Sequence, residues 1–306
     1  MTKKNNTYAF IFPGQASQEV GMGQDFFERY ARVREIYEAA EAYLKFPLRE
    51  ISFRGPLEEL TQTRITQPAI FVMSCAVDML LKERGFVPDV AAGHSLGEFS
   101  ALVSAEALSF KQGLKLVKLR GELMQKAGEI KPGAMAAVIG LEAGKVEKVC
   151  RETEGIVIAA NYNSPGQLVI SGEVEAVETA MESAKNAGAK IVTRLNVSGA
   201  FHSPLMEFAC EELYNALDET KFAKPRFPVY HNAAADTASS PDEIRALLKK
   251  QLISPVKWEQ SMQAMAPLAE IFLEVGPGKV LTGLLKRIER GKSCFPINNI
   301  EAMEKL

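Results

Sequence analysis

The pentapeptide Gly93–Gly97 constrains the fold of this chain more than any other stretch of its sequence. Its residues Gly-His-Ser-Leu-Gly have the form G-x-S-x-G, which places a serine on a sharp turn between a buried strand and a helix. The short apolar run Asp89–Ala92 before it suits the strand, and the apolar residues after it recur at helical spacing. The sequence therefore predicts that the hydroxyl of Ser95 is exposed at the carboxyl end of a strand.

The composition of this turn also suits a nucleophile. Gly93 and Gly97 allow the strand and the helix to pass in contact, and a helix N-terminus favours the negative charge of an oxyanion. A glycine-serine turn without chemistry has the same bare pattern. The strand and the helix predicted on either side favour the nucleophile.

Strands and helices alternate along much of the chain, as in an α/β fold. We expect strands over 8–12 and 271–275, and one long helical region over 24–44. An apolar helix is expected to start at Thr66, with Pro68 in its first turn. These elements predict a large domain with a parallel sheet at its core.

One segment departs from that alternation. Residues 130–197 follow the order βαββαβ, which is typical of a ferredoxin-like unit. We therefore predict an α/β-hydrolase-like large domain, formed by residues 1–129 and 198–306, with a small ferredoxin-like domain inserted at 130–197. The cleft between the two domains is the expected ligand site.

The composition excludes several classes of protein. A net charge of −2 over 306 residues favours neither nucleic acid nor an anionic membrane as a partner. The longest apolar run, Ala69–Leu81, is broken by Asp78 and is shorter than the roughly 18 residues of a membrane span. The polar start, 1–6, is no secretory signal, and the four cysteines lack the spacing of a metal site. We expect a cytoplasmic, monomeric enzyme without a metal.

A serine nucleophile needs a base, and the chain has three histidines. His94 is adjacent to Ser95, so the two side chains should diverge at the turn, and His231 in a predicted strand is expected to be structural. His202 precedes a helix that Ser203 can cap, at a junction of the kind that faces a cleft. We infer by elimination that His202 is the base, with a pKa lowered by the nearby helix N-terminus.

Arg120 lies on the inward arc of a helix that Ser109 is expected to cap. An arginine on an inward face needs a partner, because an unpaired buried charge is costly. A side chain that reaches back to solvent, or a structural ion pair, would meet that need. Alternatively, the guanidinium awaits a substrate carboxylate, which it can bind through two nitrogens.

Two parts of the catalytic machinery stay open at this point. Gln15, in the turn after the first strand, is either a simple turn residue or the donor of a backbone N–H to an oxyanion, opposite the N–H of Leu96. No aspartate lies between Ser95 and His202, where an α/β-hydrolase has its acidic residue. A backbone carbonyl or a residue from elsewhere must then orient the histidine.

Together these motifs resemble those of the malonyl-CoA:acyl carrier protein transacylases and the acyltransferase domains of polyketide synthases. The resemblance extends nearly from end to end. It rests on FPGQ at 12–15, TQPA at 66–69, GHSLGE at 93–98, Arg120 within KLRGELM, GQLVISG at 166–172, GAFHSPLM at 199–206, QLISPVKW at 251–258 and EVGPGKVLTGL at 274–284. One departure is Ala16, where the family often has glycine, and we expect no effect of it on the chemistry.

The resemblance implies a role for each candidate residue. Ser95 is acylated and His202 is the base, while the backbone N–H groups of Gln15 and Leu96 form the oxyanion hole. Arg120 holds the malonyl carboxylate.

Three further residues receive roles from the resemblance alone. The main-chain carbonyl of Gln251 orients the histidine, which accounts for the missing aspartate. Phe201 excludes an α-methyl branch, and Asn163 faces the cleft from the small domain.

The implied reaction transfers malonyl from malonyl-CoA to the phosphopantetheine thiol of acyl carrier protein, through a malonyl-serine and without a bound cofactor. Fatty acid biosynthesis is the expected setting, and a polyketide pathway is the alternative. A serine hydrolase or thioesterase would use the same chemistry but release malonate. A docking module that only binds the carrier would need none of Ser95, His202 and Arg120.

Overall fold

The computed structural model describes residues 6–197 and 199–306, so residues 1–5 and 198 of the predicted large domain lie outside it. The strands are β1 (Tyr8–Phe12), β2 (Val90–Gly93), β3 (Gly133–Ile139), β4 (Val157–Ser164), β5 (Gln167–Glu173), β6 (Ile191–Arg194), β7 (Val229–His231), β8 (Asp236–Thr237), β9 (Ile271–Val275) and β10 (Ser293–Ile297).

The helices of the first half are α1 (Gln24–Arg29), α2 (Ala31–Leu44), α3 (Leu48–Arg54), α4 (Leu57–Leu60), α5 (Thr63–Glu83), α6 (Gly97–Ser104), α7 (Phe110–Ile130) and α8 (Ala143–Glu152). Those of the second half are α9 (Val174–Asn186), α10 (Cys210–Glu219), α11 (Pro241–Gln251), α12 (Trp258–Met265), α13 (Val280–Ile288) and α14 (Ile300–Glu304). Two 3₁₀ helices span Pro204–Ala209 and Ala266–Leu268.

The larger sheet has six strands in the order β10-β9-β1-β2-β7-β8. The pairings from β10 through β7 are parallel, and β8 pairs antiparallel with β7. Alternate residues of β1 face opposite sides, because side chains in a strand alternate. Phe10 and Phe12 pack into one apolar cluster, whereas Ala9 and Ile11 pack into a second one. The sheet is thus covered on both faces, which confirms the α/β class.

Residues 133–194 form a separate antiparallel sheet of order β4-β5-β3-β6. Helices α8 and α9 pack on it and share an apolar cluster of their own with its strands. Two backbone hydrogen bonds join this sheet to the segment after α11: Tyr162 N donates to Val256 O at 2.9 Å, and Val256 N donates to Ala160 O at 2.8 Å. These bonds hold the smaller sheet beside the carboxyl ends of the larger one.

Two predicted helices differ from those observed. The region 24–44 is divided into α1 and α2, because Tyr30 between them is extended, with φ −114° and ψ 122°. Helix α5 starts at Thr63 rather than Thr66, and Pro68 lies inside it instead of in its first turn. A proline there leaves one carbonyl of the preceding turn without its helical donor, and the burial of both faces of α5 outweighs that loss.

Helix α5 is also long and apolar enough to cross a membrane by length and composition alone. In the most apolar 18-residue stretch of this helix, 89% is buried inside the protein. It packs against α6 and α7. This is the environment of a core helix.

Candidate active site

The turn from β2 to α6 has the geometry that the sequence predicts for an elbow. Ser95 lies between the two elements with φ +51°, in the left-handed region that few side chains adopt. A Cβ built on Gly93 would lie 1.9 Å from the carbonyl carbon of Gly97, and one on Gly97 would lie 2.1 Å from Phe12 O. Both glycines are therefore required, because no larger residue fits where strand and helix cross.

The structure brings Ser95 and His202 together across 107 residues of sequence. Ser95 Oγ lies 2.7 Å from His202 Nε2, and His202 Nδ1 donates to the backbone carbonyl of Gln251 at 2.9 Å. With its Nδ1 protonated in this way, the imidazole presents an unprotonated Nε2 to the serine hydroxyl. A carbonyl thus occupies the position that an aspartate holds in an α/β-hydrolase.

The imidazole of His202 is neutral in this setting. Burial, followed by the positive charge of Arg120, lowers the pKa of His202 from 6.5 to about 3, against the opposing effect of the bond to Gln251. The expected cause was a helix N-terminus, but the segment that follows is the 3₁₀ helix Pro204–Ala209. The direction of the shift is as expected, whereas its main cause is desolvation.

Arg120 is buried, with 1% of its surface exposed, and it points at the nucleophile. Its Nη2 donates to Ser95 Oγ at 2.9 Å and to Gln251 Oε1 at 3.1 Å, and its Nη1 donates to Gln67 Oε1 at 2.8 Å. Its Nε has no partner among the described residues. Burial lowers the pKa of Arg120 to about 10, so the guanidinium stays charged near neutral pH.

Neither of the ordinary explanations for a buried arginine fits Arg120. Its side chain does not reach solvent. No carboxylate within the described ranges 6–197 and 199–306 forms an ion pair with it. The guanidinium can therefore bind an anion that enters the cavity.

Two residues next to Ser95 have backbone N–H groups without hydrogen-bond partners among the described residues. Gln15 and Leu96 both line the cavity beside Ser95, and neither N–H donates a hydrogen bond within the part of the chain that is described. Directly after Gln15 the backbone turns sharply, since Ala16 has φ +80°. Unused backbone donors beside a serine hydroxyl are groups that an oxyanion can use.

The cavity has a volume of about 190 Å³ and is lined by strands of the smaller sheet and by the segments that follow β1 and β2 of the larger one. Asn163 belongs to β4, and its Oδ1 accepts from His94 Nε2 at 2.9 Å. Phe201, with 5% exposure, forms part of the wall next to His202. As expected, the ring of His94 bonds away from Ser95.

Below the elbow lies a buried polar cluster that the sequence analysis did not identify, formed by Glu98, His231, Asn232 and the side chain of Gln251. Asn232 Oδ1 accepts the N–H of Ser95 at 2.6 Å, and Asn232 Nδ2 donates to Gly93 O at 2.7 Å. Asn232 thus clamps both sides of the strained turn. One feature of the sequence could have indicated this cluster. Glu98 lies on the apolar face of α6, and a buried carboxylate requires polar partners.

The four cysteines are free and buried. Across residues 6–197 and 199–306, no three side chains of histidine, cysteine, aspartate or glutamate are grouped so that they could hold a metal ion.

Comparison with known proteins gives consistent results over nearly the whole chain. Residues 9–299 match the family of acyl transferase domains. The chain is 43% identical over 300 residues to the malonyl CoA-acyl carrier protein transacylase of Bacillus subtilis, and the match covers 97% of this chain and 95% of the relative.

Solved structures show the same likeness. The acyl carrier protein S-malonyltransferase of Vibrio cholerae superposes with a TM-score of 0.94 at 42% identity, covering 98% of this chain and 99% of that one. A malonyl-transacylase solved in complex with its type II polyketide synthase acyl carrier protein gives a TM-score of 0.94 at 40% identity, with 98% of each chain covered.

Proposed function

We propose that this chain, which belongs to the acyl transferase domain family, transfers a malonyl group from malonyl-CoA to the phosphopantetheine thiol of acyl carrier protein. The names of its relatives point to this reaction. The single observation that carries the proposal is the guanidinium of Arg120, buried without a carboxylate partner and 2.9 Å from Ser95 Oγ. An acyl group that ends in a carboxylate would fill this position.

In the first half-reaction, Ser95 Oγ attacks the thioester carbonyl of malonyl-CoA while its proton passes to His202 Nε2. The carbonyl oxygen becomes an oxyanion that accepts from the N–H groups of Gln15 and Leu96. The C–S bond then breaks, and the coenzyme thiolate leaves with the proton from His202. The product is a malonyl ester of the serine.

In the second half-reaction, the pantetheine thiol of the carrier gives its proton to His202 and attacks the malonyl ester. The same two N–H groups hold the oxyanion, and Ser95 leaves with the proton from the imidazole. Because one thioester replaces another, the cycle is ping-pong and reversible. The enzyme residues supply all the groups that this chemistry needs, and the largely apolar cavity wall limits hydrolysis of the ester.

Arg120 would select the acyl group. A carboxylate can bind the unpartnered Nε and an Nη nitrogen side by side, which gives the two parallel bonds that arginine forms best. Phe201 would narrow the space next to the α-carbon, and Asn163 would hold His94 against the cavity. A non-carboxylated acyl group would leave the buried guanidinium without an anion.

The domain organisation belongs to the same proposal. The strand order β4-β5-β3-β6, with two helices on one sheet, supports a ferredoxin-like domain inserted at 130–197. The parallel order around β1 and the elbow after β2 support an α/β-hydrolase-like large domain over 1–129 and 198–306. We place the protein in the cytoplasm, since four free buried cysteines suit a reducing compartment. A monomer is the simplest expectation.

A transfer assay separates this function from its nearest rival. The protein is mixed with malonyl-CoA and holo acyl carrier protein, and released coenzyme A, malonyl-carrier and free malonate are measured against Ser95→Ala. We expect malonyl-carrier to account for the coenzyme A released. Free malonate formed at the same rate with and without carrier would instead identify a hydrolase.

The pathway is tested with the same assay and two carriers. We expect a higher kcat/KM with a carrier of fatty acid synthesis than with one of a polyketide system. The likeness to a transacylase in complex with a polyketide carrier makes the reverse order the specific alternative.

A further inference from the structure

Glu98 is a fully buried carboxylate for which the proposed reaction has no use. It lies in the first turn of α6, with 0% of its surface exposed. Its Oε1 accepts from His231 Nδ1 at 2.7 Å, and its Oε2 accepts from Asn232 N and from Gln251 Nε2, both at 2.9 Å. A carboxylate in such a place needs a positive charge nearby, because an uncompensated buried charge is strongly destabilising.

That charge is the guanidinium of Arg120, which lies on the far side of one amide group. Gln251 Nε2 donates to Glu98, while Gln251 Oε1 accepts from Arg120 Nη2 at 3.1 Å. Gln251 Nε2 also donates to Ser95 O at 3.0 Å, so the amide cannot turn over without losing all three bonds. The negative charge of Glu98 opposes the loss of the proton from Arg120, which burial favours.

The interposed amide has a consequence for binding. A carboxylate bonded directly to Arg120 would occupy the two nitrogens that a substrate carboxylate needs. Placed behind Gln251, Glu98 balances the charge of the empty cavity without bonding to the guanidinium, whose Nε has no partner among the described residues. It also weakens the pull of Arg120 on an incoming anion, because the two negative charges repel each other.

We propose that Glu98 is a positioning residue that acts through the Gln251 amide as the countercharge of Arg120, stabilising the empty cavity and limiting its affinity for the malonyl carboxylate. This inference rests on the proposed function of Arg120. Limited affinity matters in a ping-pong transferase, because a malonyl group held too tightly by the guanidinium would be passed on slowly.

Glu98→Gln tests the charge with little change of shape. The carboxamide oxygen can still accept from Asn232 and Gln251. Its NH₂ can donate to His231 Nδ1 once the imidazole proton moves to Nε2, which has no partner among the described residues. The probe is free malonate, and its binding is followed by the shift of the thermal unfolding midpoint.

We expect the Glu98→Gln protein to be less stable than the wild type without malonate. The malonate concentration for half-maximal stabilisation should be lower by on the order of tenfold, since the ligand becomes the only counterion of Arg120. A purely structural role for Glu98 predicts weaker or unchanged malonate binding. Either of those results would overturn the proposal.

A double-mutant cycle keeps the test decisive if Glu98→Gln alone does not fold. In the Arg120→Gln background the described residues contain no other buried lysine or arginine, so Glu98→Gln should cost far less stability there than in the wild type. Equal cost in both backgrounds would contradict the proposal, as would failure of the double variant to fold when Arg120→Gln folds. These stability measurements stand even if the wild type forms no malonyl-serine, an outcome that would refute the proposed function instead.

Asp78→Asn is the matched control. Asp78 is also a buried carboxylate, but it accepts from Ser104 Oγ at 2.6 Å and from Lys82 Nζ at 2.8 Å, and neither of these partners lines the cavity. We expect this substitution to lower stability equally with Arg120 or Gln at position 120, and to leave the malonate response unchanged. Coupling of the same size for both carboxylates would show a general effect of buried charge and would refute a specific link.

Discussion

Replacement of Arg120 by alanine is the most informative single perturbation of the cavity. It removes the only positive group that contacts Ser95 Oγ among the described residues. Truncating one partner of a buried, hydrogen-bonded charge pair costs about 2–5 kcal/mol, which corresponds to roughly a 30- to 5,000-fold fall in kcat/KM. We expect that loss for malonyl-CoA, because its carboxylate would enter the cavity without a counterion.

Acetyl-CoA provides the internal comparison, since its acyl group carries no charge. We expect its kcat/KM to change by less than about tenfold in Arg120→Ala, so that the preference for malonyl nearly disappears. Arg120→Lys keeps the charge but not the planar pair of donors. Its kcat/KM for malonyl-CoA should lie between those of the wild type and Arg120→Ala. Both substrates are assayed by the release of coenzyme A in the presence of holo carrier. The concentration of active enzyme is first determined by counting the reactive serines.

Two outcomes would refute the reasoning about Arg120. Malonyl transfer that survives the substitution would show that the carboxylate binds elsewhere. An equal fall for malonyl-CoA and acetyl-CoA would show that the guanidinium acts on Ser95 and not on the acyl group.

Three further predictions follow from the geometry. Because the pKa of His202 is lowered to about 3, the base is neutral over the whole range from about pH 5 to 8, and kcat/KM should show no acid limb there; a limb near pH 6.5 would contradict this. Ala16→Gly should raise the thermal unfolding midpoint by about 1–3 °C without changing transfer, since φ at Ala16 is +80°; an unchanged or lower midpoint would show that the turn is unstrained. Gly93→Ala should lower the free energy of unfolding by more than about 2 kcal/mol, because its Cβ would overlap Gly97; near-native stability in denaturant would show that strand and helix can separate.

The sequence predicts local parts of the site well, because short motifs determine them. The elbow around Ser95 depends on contacts between residues that are neighbours in sequence, and its strand and helix are as expected. Ser109 caps α7 by accepting from the Gln112 N–H, as predicted. Arg120 is buried on the inward face of that helix, where its periodicity placed it.

Parts that depend on tertiary packing could not be predicted from pattern alone. The cluster of Glu98, His231 and Asn232 joins residues more than 130 positions apart, and no local spacing indicates it. Strand β10 is not among the predicted strands, and it contains Pro296. A proline is tolerated there because β10 is at the edge of the sheet.

The electrostatic environment of His202 shows the same limit. Its position beside a helix start suggested a lowered pKa, and the direction is correct. The main cause is burial, followed by the charge of Arg120, and both depend on how distant segments pack around the cavity. The role of the Gln251 carbonyl in orienting the imidazole was implied by the family resemblance. The pattern of the residues around Gln251 did not indicate it.

The central claim is that Ser95 carries the malonyl group between the two thiols. The most direct measurement is the intact mass of the protein after brief exposure to malonyl-CoA, with Ser95→Ala as control, followed by addition of holo acyl carrier protein. We predict a mass increase of one malonyl group that is absent from Ser95→Ala and that moves to the carrier. An adduct of the same mass on the alanine variant, or no adduct on the wild type, would contradict the account.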